Sequence, residues 1–149
     1  MQSNLNLSYI TNLLEYEKPQ SGLYIVPTPL GNLSDITIRS LKILSSVDLV
    51  ISEDTRVTKK LTSKYGIKCR MQPFNKFNSK NKTPEIIKKI SSNVSIALTT
   101  DSGTPLVSDP GADLVKECFA NNLSVFSLPG PSAPIASFAL SAFQAENFT

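Results

Sequence analysis

Short apolar runs alternate with segments of helical length five times between Gly22 and Phe143, and this alternation constrains the fold more than any other feature. Tight turns cannot join parallel strands, so strands that alternate with helices predict βαβ units. The sequence therefore predicts an α/β domain over residues 22–143, with an open, mostly parallel five-stranded sheet and helices on both faces. The expected strands cover residues 23–26, 49–51, 67–74, 94–99 and 123–128.

Polar capping residues predict where the helices begin, because a short polar side chain accepts a hydrogen bond from the free N–H groups of a first helical turn. The second helix is expected to stop at Gly66. The fourth helix is expected to bury Val115, Cys118 and Phe119. The expected helix starts are Asp35, Thr55, Thr83-Pro84-Glu85, Asp109-Pro110-Gly111 and Ser132, and the last helix is expected to continue to Phe143.

Missing residue types exclude several kinds of chemistry. The sequence contains no histidine, which excludes histidine bases, Ser–His or Cys–His nucleophile pairs and His-ligated metals, and we expect no metal site. Cys69 and Cys118 are distant in sequence and form no C-x-x-C pattern. One disulfide is an open alternative, but two reduced, mostly buried thiols in a cytoplasmic protein fit this spacing better.

Membrane and secretory segments are not predicted. No apolar run approaches the roughly 18 residues of a membrane-spanning helix. Residues 1–21 have neither a basic start nor an unbroken apolar stretch, so they do not predict a secretory signal. They are expected to form an N-terminal extension, either a short amphipathic helix or a flexible segment.

Proline and glycine are concentrated in the loops after the first, fourth and fifth strands, which hold seven of ten prolines and four of six glycines. The carboxyl ends of parallel strands lie at one edge of a sheet, where open α/β sheets bind ligands. Proline stiffens a loop and glycine lets a backbone approach a ligand closely, so these loops predict a rigid pocket lined by main-chain groups. The alternative is that these residues only terminate strands. The residues are Pro27, Pro29, Gly31, Gly103, Pro105, Pro110, Gly111, Pro129, Gly130, Pro131 and Pro134.

The composition of these loops limits the ligand. The first loop, VPTPLGNLSD, matches neither G-x-G-x-x-G nor G-x-x-x-x-G-K-[ST], which removes the main support for a dinucleotide or a P-loop triphosphate. None of the three loops contains a lysine that could neutralise a triphosphate. A zwitterionic or cationic ligand held by backbone groups fits better.

Positive charge is concentrated in residues 59–89, which contain ten basic side chains against the single acid Glu85 and so carry +9. The rest of the chain holds five basic and eleven acidic residues, a charge of −6. A basic block that also contains Phe74 and Phe77 is typical of an RNA-facing surface, and Lys80 and Lys82 are its candidate contacts. The alternative is a solvated, lysine-rich helix face.

Four motifs in fixed order resemble the ribosomal RNA small subunit methyltransferase I family, the RNA-modifying branch of the tetrapyrrole methylases. They are VPTPLGNLSDIT, EDTR, ALTTDSGTPLVSDPG and LPGPSA. The resemblance implies S-adenosylmethionine as methyl donor and the ribose 2′-hydroxyl of a decoding-site cytidine in 16S rRNA, within the small ribosomal subunit, as acceptor. It also implies a second α/β domain, a donor cleft between the domains and a homodimer at full length. We expect this sequence to lack that second domain and residues 144–149 to begin the inter-domain linker.

The resemblance also implies roles for individual residues in the three loops. The donor would be bound by Thr28, Pro29, Leu30, Gly31, Ser102, Gly103, Thr104, Pro105, Val107, Gly130, Ser132 and Ala133. Val57 stands where the family usually has histidine, and the family's His-x-His-Asn-Glu stretch is replaced by residues 75–79.

The EDTR motif supplies the candidate catalytic groups. Without histidine, Asp54 or Glu53 would be the base that takes the proton of the ribose hydroxyl, and Arg56 would hold an RNA phosphate. The alternative is a structural ion pair between Asp54 and Arg56. Two other functions remain open, a methylase of a small tetrapyrrole-like molecule and a module that binds the donor or RNA without turnover.

Overall fold

The computed structural model describes residues 18–107 and 109–143. Most of the expected N-terminal extension and all of the expected linker at 144–149 lie outside the described residues. The strands are β1 (Gly22–Ile25), β2 (Leu49–Ser52), β3 (Met71–Pro73), β4 (Ser95–Thr99) and β5 (Val125–Ser127). The helices are α1 (Ile38–Ser46), α2 (Thr55–Lys64), α3 (Ser79–Ser91), α4 (Ala112–Ala120) and α5 (Ala133–Leu140).

The five strands form one sheet in the order β3-β2-β4-β1-β5, and all four neighbouring pairs are parallel. The predicted fold class is therefore confirmed. Because β4 lies between β2 and β1, the loops that leave β1 and β4 start side by side at the carboxyl edge of the sheet.

Alternate side chains of the strands bury two apolar clusters, one on each face of the sheet. On one face, Ile25 and Leu98 pack in a cluster with residues of α3 and α4, such as Ile86 and Leu114. On the other face, Tyr24 and its neighbours pack in a cluster with residues of α1 and α2. The chain therefore leaves β1 and β2 toward one face and leaves β3 and β4 toward the other. This divergence opens a crevice at the carboxyl edge.

Two predicted helix caps and one predicted helix end differ from the structure. Asp35 belongs to a short 3₁₀ turn, and α1 is capped by Thr37, whose hydroxyl accepts from Ser40 N at 3.0 Å. Asp54, not Thr55, caps α2, which begins at Thr55 as predicted, and the Asp54 carboxylate accepts from Arg56 N at 2.8 Å. The last helix ends at Leu140, before Phe143, since Ala142 adopts a left-handed conformation with φ of +57°.

Helix α3 begins four residues before the predicted start at Thr83. A turn between Asn75 and Asn78 starts the helix, because Asn75 O accepts from Ser79 N at 2.9 Å. Pro84 therefore lies inside the helix, and the hydroxyl of Thr83 donates to Ser79 O at 2.8 Å. Pro84 lies in the second turn and has no N–H to donate to the carbonyl of Lys80, so the helix lacks one backbone hydrogen bond there.

Two predictions about buried residues have different outcomes. Phe119 is 63% exposed, because the buried face of α4 runs through Leu114 and Cys118, four residues apart. Both cysteines are free thiols; Cys118 is buried and Cys69 half-buried. Burial raises the pKa of the Cys118 thiol to about 11, so it stays protonated at neutral pH.

Each helix within residues 18–107 and 109–143 is too short or too polar to cross a bilayer.

Candidate active site

The loops after β1 and β4 are paired at the carboxyl edge of the sheet. Thr28 N donates to Gly103 O at 2.8 Å, and Gly103 N donates to Thr28 O at 3.0 Å, which makes an antiparallel bridge. The buried hydroxyl of Thr28 also donates to Thr100 O at 3.1 Å. We call this pairing of residues 28 and 103 the clasp. It fixes the two loops against each other across 75 residues of sequence.

The loop after β5 joins the same assembly. The hydroxyl of Thr104 donates to Pro131 O at 2.8 Å. Gly130 lies flat against Pro27, and a Cβ atom on Gly130 would stand only 2.7 Å from the Cβ of that proline. The three loops therefore meet at one edge, as the distribution of proline and glycine predicts.

The clasp also changes which groups a ligand can contact. The peptide N–H and C=O groups of Thr28 and Gly103 bond to each other, so they hold the loops together. Gly31, by contrast, has φ of +119° and nothing within 4 Å of the position of a Cβ atom, so the space beside its Cα is open. The sequence predicts one pocket lined by main-chain groups, but in the structure the main-chain groups of Thr28 and Gly103 bond to each other and hold the loops together.

A cavity of about 450 Å³ lies on the α2 side of the clasp. Its walls are partly apolar and partly polar, and they are formed by the loop after β1, the start of the loop after β4, and α2. Sequence reasoning did not predict that α2 forms part of the cavity wall. This contribution could have been predicted, because a helix that begins at the carboxyl end of β2 places its first turns at this edge. The lining residues are Thr28, Pro29, Leu30, Gly31, Leu33, Val57, Thr58, Lys60, Leu61, Thr100, Asp101 and Ser102.

The remaining predicted donor residues lie elsewhere on the same edge and do not line this cavity. They belong to the clasp itself, to the later part of the loop after β4, to the loop after β5 and to the first residue of α5. Among them, Val107 is 53% exposed and presents an apolar side chain to solvent. These residues are Gly103, Thr104, Pro105, Val107, Gly130, Ser132 and Ala133.

Asp54 and Arg56 form a two-pronged ion pair. Arg56 Nε donates to Asp54 Oδ1 at 3.0 Å, and Nη2 donates to Oδ2 at 2.6 Å. These hydrogen bonds, with the backbone bond from Arg56 N, hold the pKa of the Asp54 carboxyl at about 2. A carboxylate with so low a pKa is a weak base. The geometry is that of the structural ion pair, which the sequence leaves open as the alternative to a catalytic Asp54.

Two other carboxylates flank this pair. Glu53 Oε2 accepts from the hydroxyl of Thr100 at 3.5 Å. Asp101 Oδ1 accepts from Asp54 N at 3.1 Å, and its side chain lines the cavity. Of the three carboxylates, Asp101 alone is among the residues that line the cavity. Within the described part of the chain, no three His, Cys, Asp or Glu side chains lie close enough to share a metal ion.

The ion pair predicts a pH-dependent effect on stability. Because folding lowers the Asp54 pKa from 3.8 to about 2, the pair stabilises the fold fully above about pH 4 and loses this effect as the pH falls through 2. Asp54→Asn, which keeps a capping side chain, is expected to lower the thermal midpoint slightly at about pH 6, by less at about pH 2.5 and hardly at all at about pH 1.5. Thermal unfolding of both proteins across this range, with Asp35→Asn as control, measures the difference. A difference that is the same at every pH contradicts the assignment.

The basic block wraps around the β3 edge of the sheet. Most of its lysines lie on α2 on one face and on α3 on the other, Lys68 and Lys76 lie in the loops on either side of β3, and β3 pairs only with β2. Lys82 Nζ donates to Pro73 O at 2.7 Å, so its ammonium group holds the end of β3. Lys80 is exposed and lines a second cavity, of about 280 Å³, between the first turns of α3 and α4.

The two aromatic residues in the basic block differ in exposure. Phe74 is 1% exposed and belongs to the core, which removes it from the predicted RNA-facing surface. Phe77 is 96% exposed and stands between Lys76 and Lys80. We call the exposed side chains of Lys76, Phe77 and Lys80 the basic edge.

A parallel sheet with a cavity built by loops at its carboxyl edge defines a ligand-binding α/β domain. Residues 22–148 match the model of the family described as Tetrapyrrole (Corrin/Porphyrin) Methylases. The chain belongs to this family.

Curated relatives of this chain share one name, ribosomal RNA small subunit methyltransferase I. The relative from Thermotoga maritima is 46% identical over 126 residues, which cover 85% of this chain and 57% of that protein. The relative from Mesorhizobium japonicum is 43% identical over 129 residues, 87% of this chain and 44% of that protein. This chain spans about half the length of these relatives.

Solved structures support the fold at lower sequence identity. Uroporphyrin-III-C-methyltransferase from Thermus thermophilus matches with a TM-score of 0.62 and 15% identity, over 85% of this chain and 54% of that one. A cobalt precorrin-4 methyltransferase matches with a TM-score of 0.61 and 19% identity, over 79% and 49%. This likeness concerns the arrangement of strands and helices.

Proposed function

We propose that this chain is the α/β domain of an S-adenosylmethionine-dependent methyltransferase that acts on 16S rRNA. The acceptor is the ribose 2′-hydroxyl of a decoding-site cytidine. The observation that carries the proposal is the convergence of three proline-stiffened loops at the clasp, in a chain whose relatives are named as methyltransferases of small-subunit rRNA.

The residues at this edge fit a methyl donor of that type. S-adenosylmethionine carries a positive sulfonium, an ammonium, a carboxylate and a flat adenine ring, and it supplies an electrophilic methyl group when bound. The exposed side chain of Val107 offers an apolar surface, and the free space at the Cβ position of Gly31 leaves room for close approach. The groups that would hold the donor are residues 28–31, 102–105, 107, 130, 132 and 133.

The chain's own charged residues orient and prepare the acceptor. The basic edge attracts the phosphates of RNA and brings the strand toward the carboxyl edge of the sheet. A ribose hydroxyl is a poor nucleophile, so a nearby carboxylate that takes its proton during attack raises the rate. Glu53 and Asp101 suit this role better than Asp54, whose oxygens are both bonded to Arg56.

Two measurements test the proposal. Calorimetry with S-adenosylmethionine is expected to detect binding by the purified chain. Incubation with radiolabelled donor and undermethylated small-subunit particles is then expected to place an alkali-stable label on the ribose of 16S rRNA. No heat at millimolar donor contradicts donor binding. Labelling of a tetrapyrrole precursor instead of rRNA would make the chain a small-molecule methylase, and binding without transfer would make it a binding module.

A further inference from the structure

The first described residues fix the place where the N-terminal segment, residues 1–17, joins the domain. Lys18 Nζ lies 2.9 Å from Asp48 Oδ1, and the other oxygen of that carboxylate accepts from a backbone N–H at the start of β4 at 2.9 Å. Gln20 O accepts from the hydroxyl of Tyr24 at 2.9 Å, and Tyr24 belongs to the apolar cluster on the α1/α2 face. The segment therefore joins the domain at the amino edge of the sheet, on the side of α1 and α2.

A cavity of about 380 Å³ lies on this face, between α1 and the turn that follows α2. Leu41, Tyr65 and Ile67 give it an apolar wall, and all three are only partly buried where they pack against the α1/α2 cluster. Ser45 and Lys68 also line it. We call this cavity the rear cleft. It shares no lining residue with the cavity beside the clasp, so it is separate from the candidate active site.

Apolar side chains recur at helical spacing in residues 1–17. Leu7, Ile10 and Leu14 are three and four residues apart, and Leu13 adjoins them on the same face of a helix. A helix this short is not stable in water unless its apolar face packs against another surface. The matched family model covers none of this segment, so the pattern belongs to this chain's own extension.

The length of the connecting chain lets this apolar face reach the rear cleft. Leu14 is four residues from Lys18, so the two lie at most about 14 Å apart. Ser45, on the wall of the cleft, is three residues from Asp48 and at most about 11 Å from it. Because Lys18 and Asp48 are paired, Leu14 and its neighbours can reach the cleft.

Charge favours the same contact. The N-terminal segment has two acidic side chains, Glu15 and Glu17, and no basic one. Lys68 lines the rear cleft, and Lys64 precedes it at the end of α2. The acidic end of the segment would therefore meet positive charge at the cleft.

Other exposed apolar surfaces lie further from the start of β2. The two cavities beside α3 and α4 are on the opposite face of the sheet. Helix α5 has no buried residue, but it follows β5, which is three strands away from β2. The rear cleft is therefore the apolar surface that the N-terminal segment meets first.

We propose that residues 7–14 form a short helix that packs into the rear cleft of the same chain and ties α1 to the turn after α2. Ile10 and Leu14 insert between Leu41 and Ile67. The docked segment braces the α1/α2 layer from the amino edge and leaves the carboxyl edge open to ligands. This inference does not depend on the proposed function, because it concerns the opposite edge of the sheet.

Ile10→Asp in the full chain tests the brace. We expect it to lower the thermal midpoint by about 3–10 °C, because it removes a buried apolar contact and places a charge in the cleft. Amide NMR should show shifts at residues 41–46 and 65–68, and the amides at the end of α2 should exchange faster. Binding of S-adenosylhomocysteine should stay within about twofold of wild type. Failure of this ligand to bind either protein would count against the proposed function and not against the brace.

Two further variants make the result specific. Asn12→Asp adds the same charge to the opposite face of the segment, so the midpoint should stay within about 2 °C of wild type. Ser45→Asp changes the cleft instead of the segment and should lower the midpoint by about 2–6 °C. The double variant with Ile10→Asp should lose less than the sum of the two, because both changes release the same contact.

Four results overturn the inference. They are a midpoint in Ile10→Asp equal to that of Asn12→Asp, additive losses in the double variant, amide shifts confined to α5, and a midpoint that falls on dilution together with a dimer in sedimentation. Shifts confined to α5 would mean that the segment covers that helix instead. The result on dilution would mean that the segment joins two copies of the chain.

Discussion

Gly103→Val is expected to weaken S-adenosylhomocysteine binding by more than about tenfold while the domain stays folded. Gly103 has φ of +83°, and a Cβ atom there would lie 3.1 Å from Leu30 Cδ2. The left-handed conformation costs about 1–2 kcal/mol for a residue with a Cβ atom, and a β-branched side chain tolerates it poorly. The clasp should open to relieve this strain. Because the clasp aligns all three loops, the proposed donor site on these loops would lose its shape.

Gly66→Val is the matched control for this prediction. Gly66 also has a positive φ, +68°, but nothing lies within 4 Å of its Cβ position, and it follows the end of α2. Both variants therefore carry a similar backbone cost, and only one of them disturbs the loops. Urea unfolding measures the cost in each protein, and calorimetry measures donor affinity. Equal donor affinity in the two variants would show that the clasp does not shape the donor site.

The sheet could be predicted from the sequence because its signals are local. Each buried strand is a short apolar run, and each crossover has helical length, so the order of elements follows directly. Strand limits differ from the predicted ones most at β3, which is shorter than expected and pairs on one side only. Convergence of the three loops could also be predicted, since parallel strands place their carboxyl ends at one edge.

The details of the candidate site depend on contacts that are distant in sequence. Nothing local shows that Thr28 pairs with Gly103, or that the hydroxyl of Thr104 bonds to the loop after β5. The same applies to Asp54, whose charge suggests a base until its bonds to Arg56 are seen. Phe74 and Phe77 show the same difficulty. Both lie in the basic block, but only the packing of β3 against α3 decides which of them is buried.

Phe77→Ala is expected to weaken binding of a single-stranded RNA fragment from the decoding site by about 5- to 150-fold. An aromatic ring that stacks on a base contributes about 1–3 kcal/mol, and Phe77 is 96% exposed between two lysines. The fold should be unaffected, because an exposed ring contributes little to the core. Fluorescence anisotropy at several salt concentrations measures the affinity. The slope of the salt dependence should stay as in the wild type, since no phosphate contact is removed.

Phe119→Ala separates a specific stacking contact from a general effect of exposed aromatic rings. Phe119 is 63% exposed on α4, outside the basic block, so its removal should leave RNA affinity unchanged. Lys80→Gln gives the complementary result, a smaller loss of affinity with a shallower salt slope, because it removes a charge and no ring. Equal losses in Phe77→Ala and Phe119→Ala would mean that RNA does not approach the domain along β3. Such a result would leave the basic block as a solvated surface.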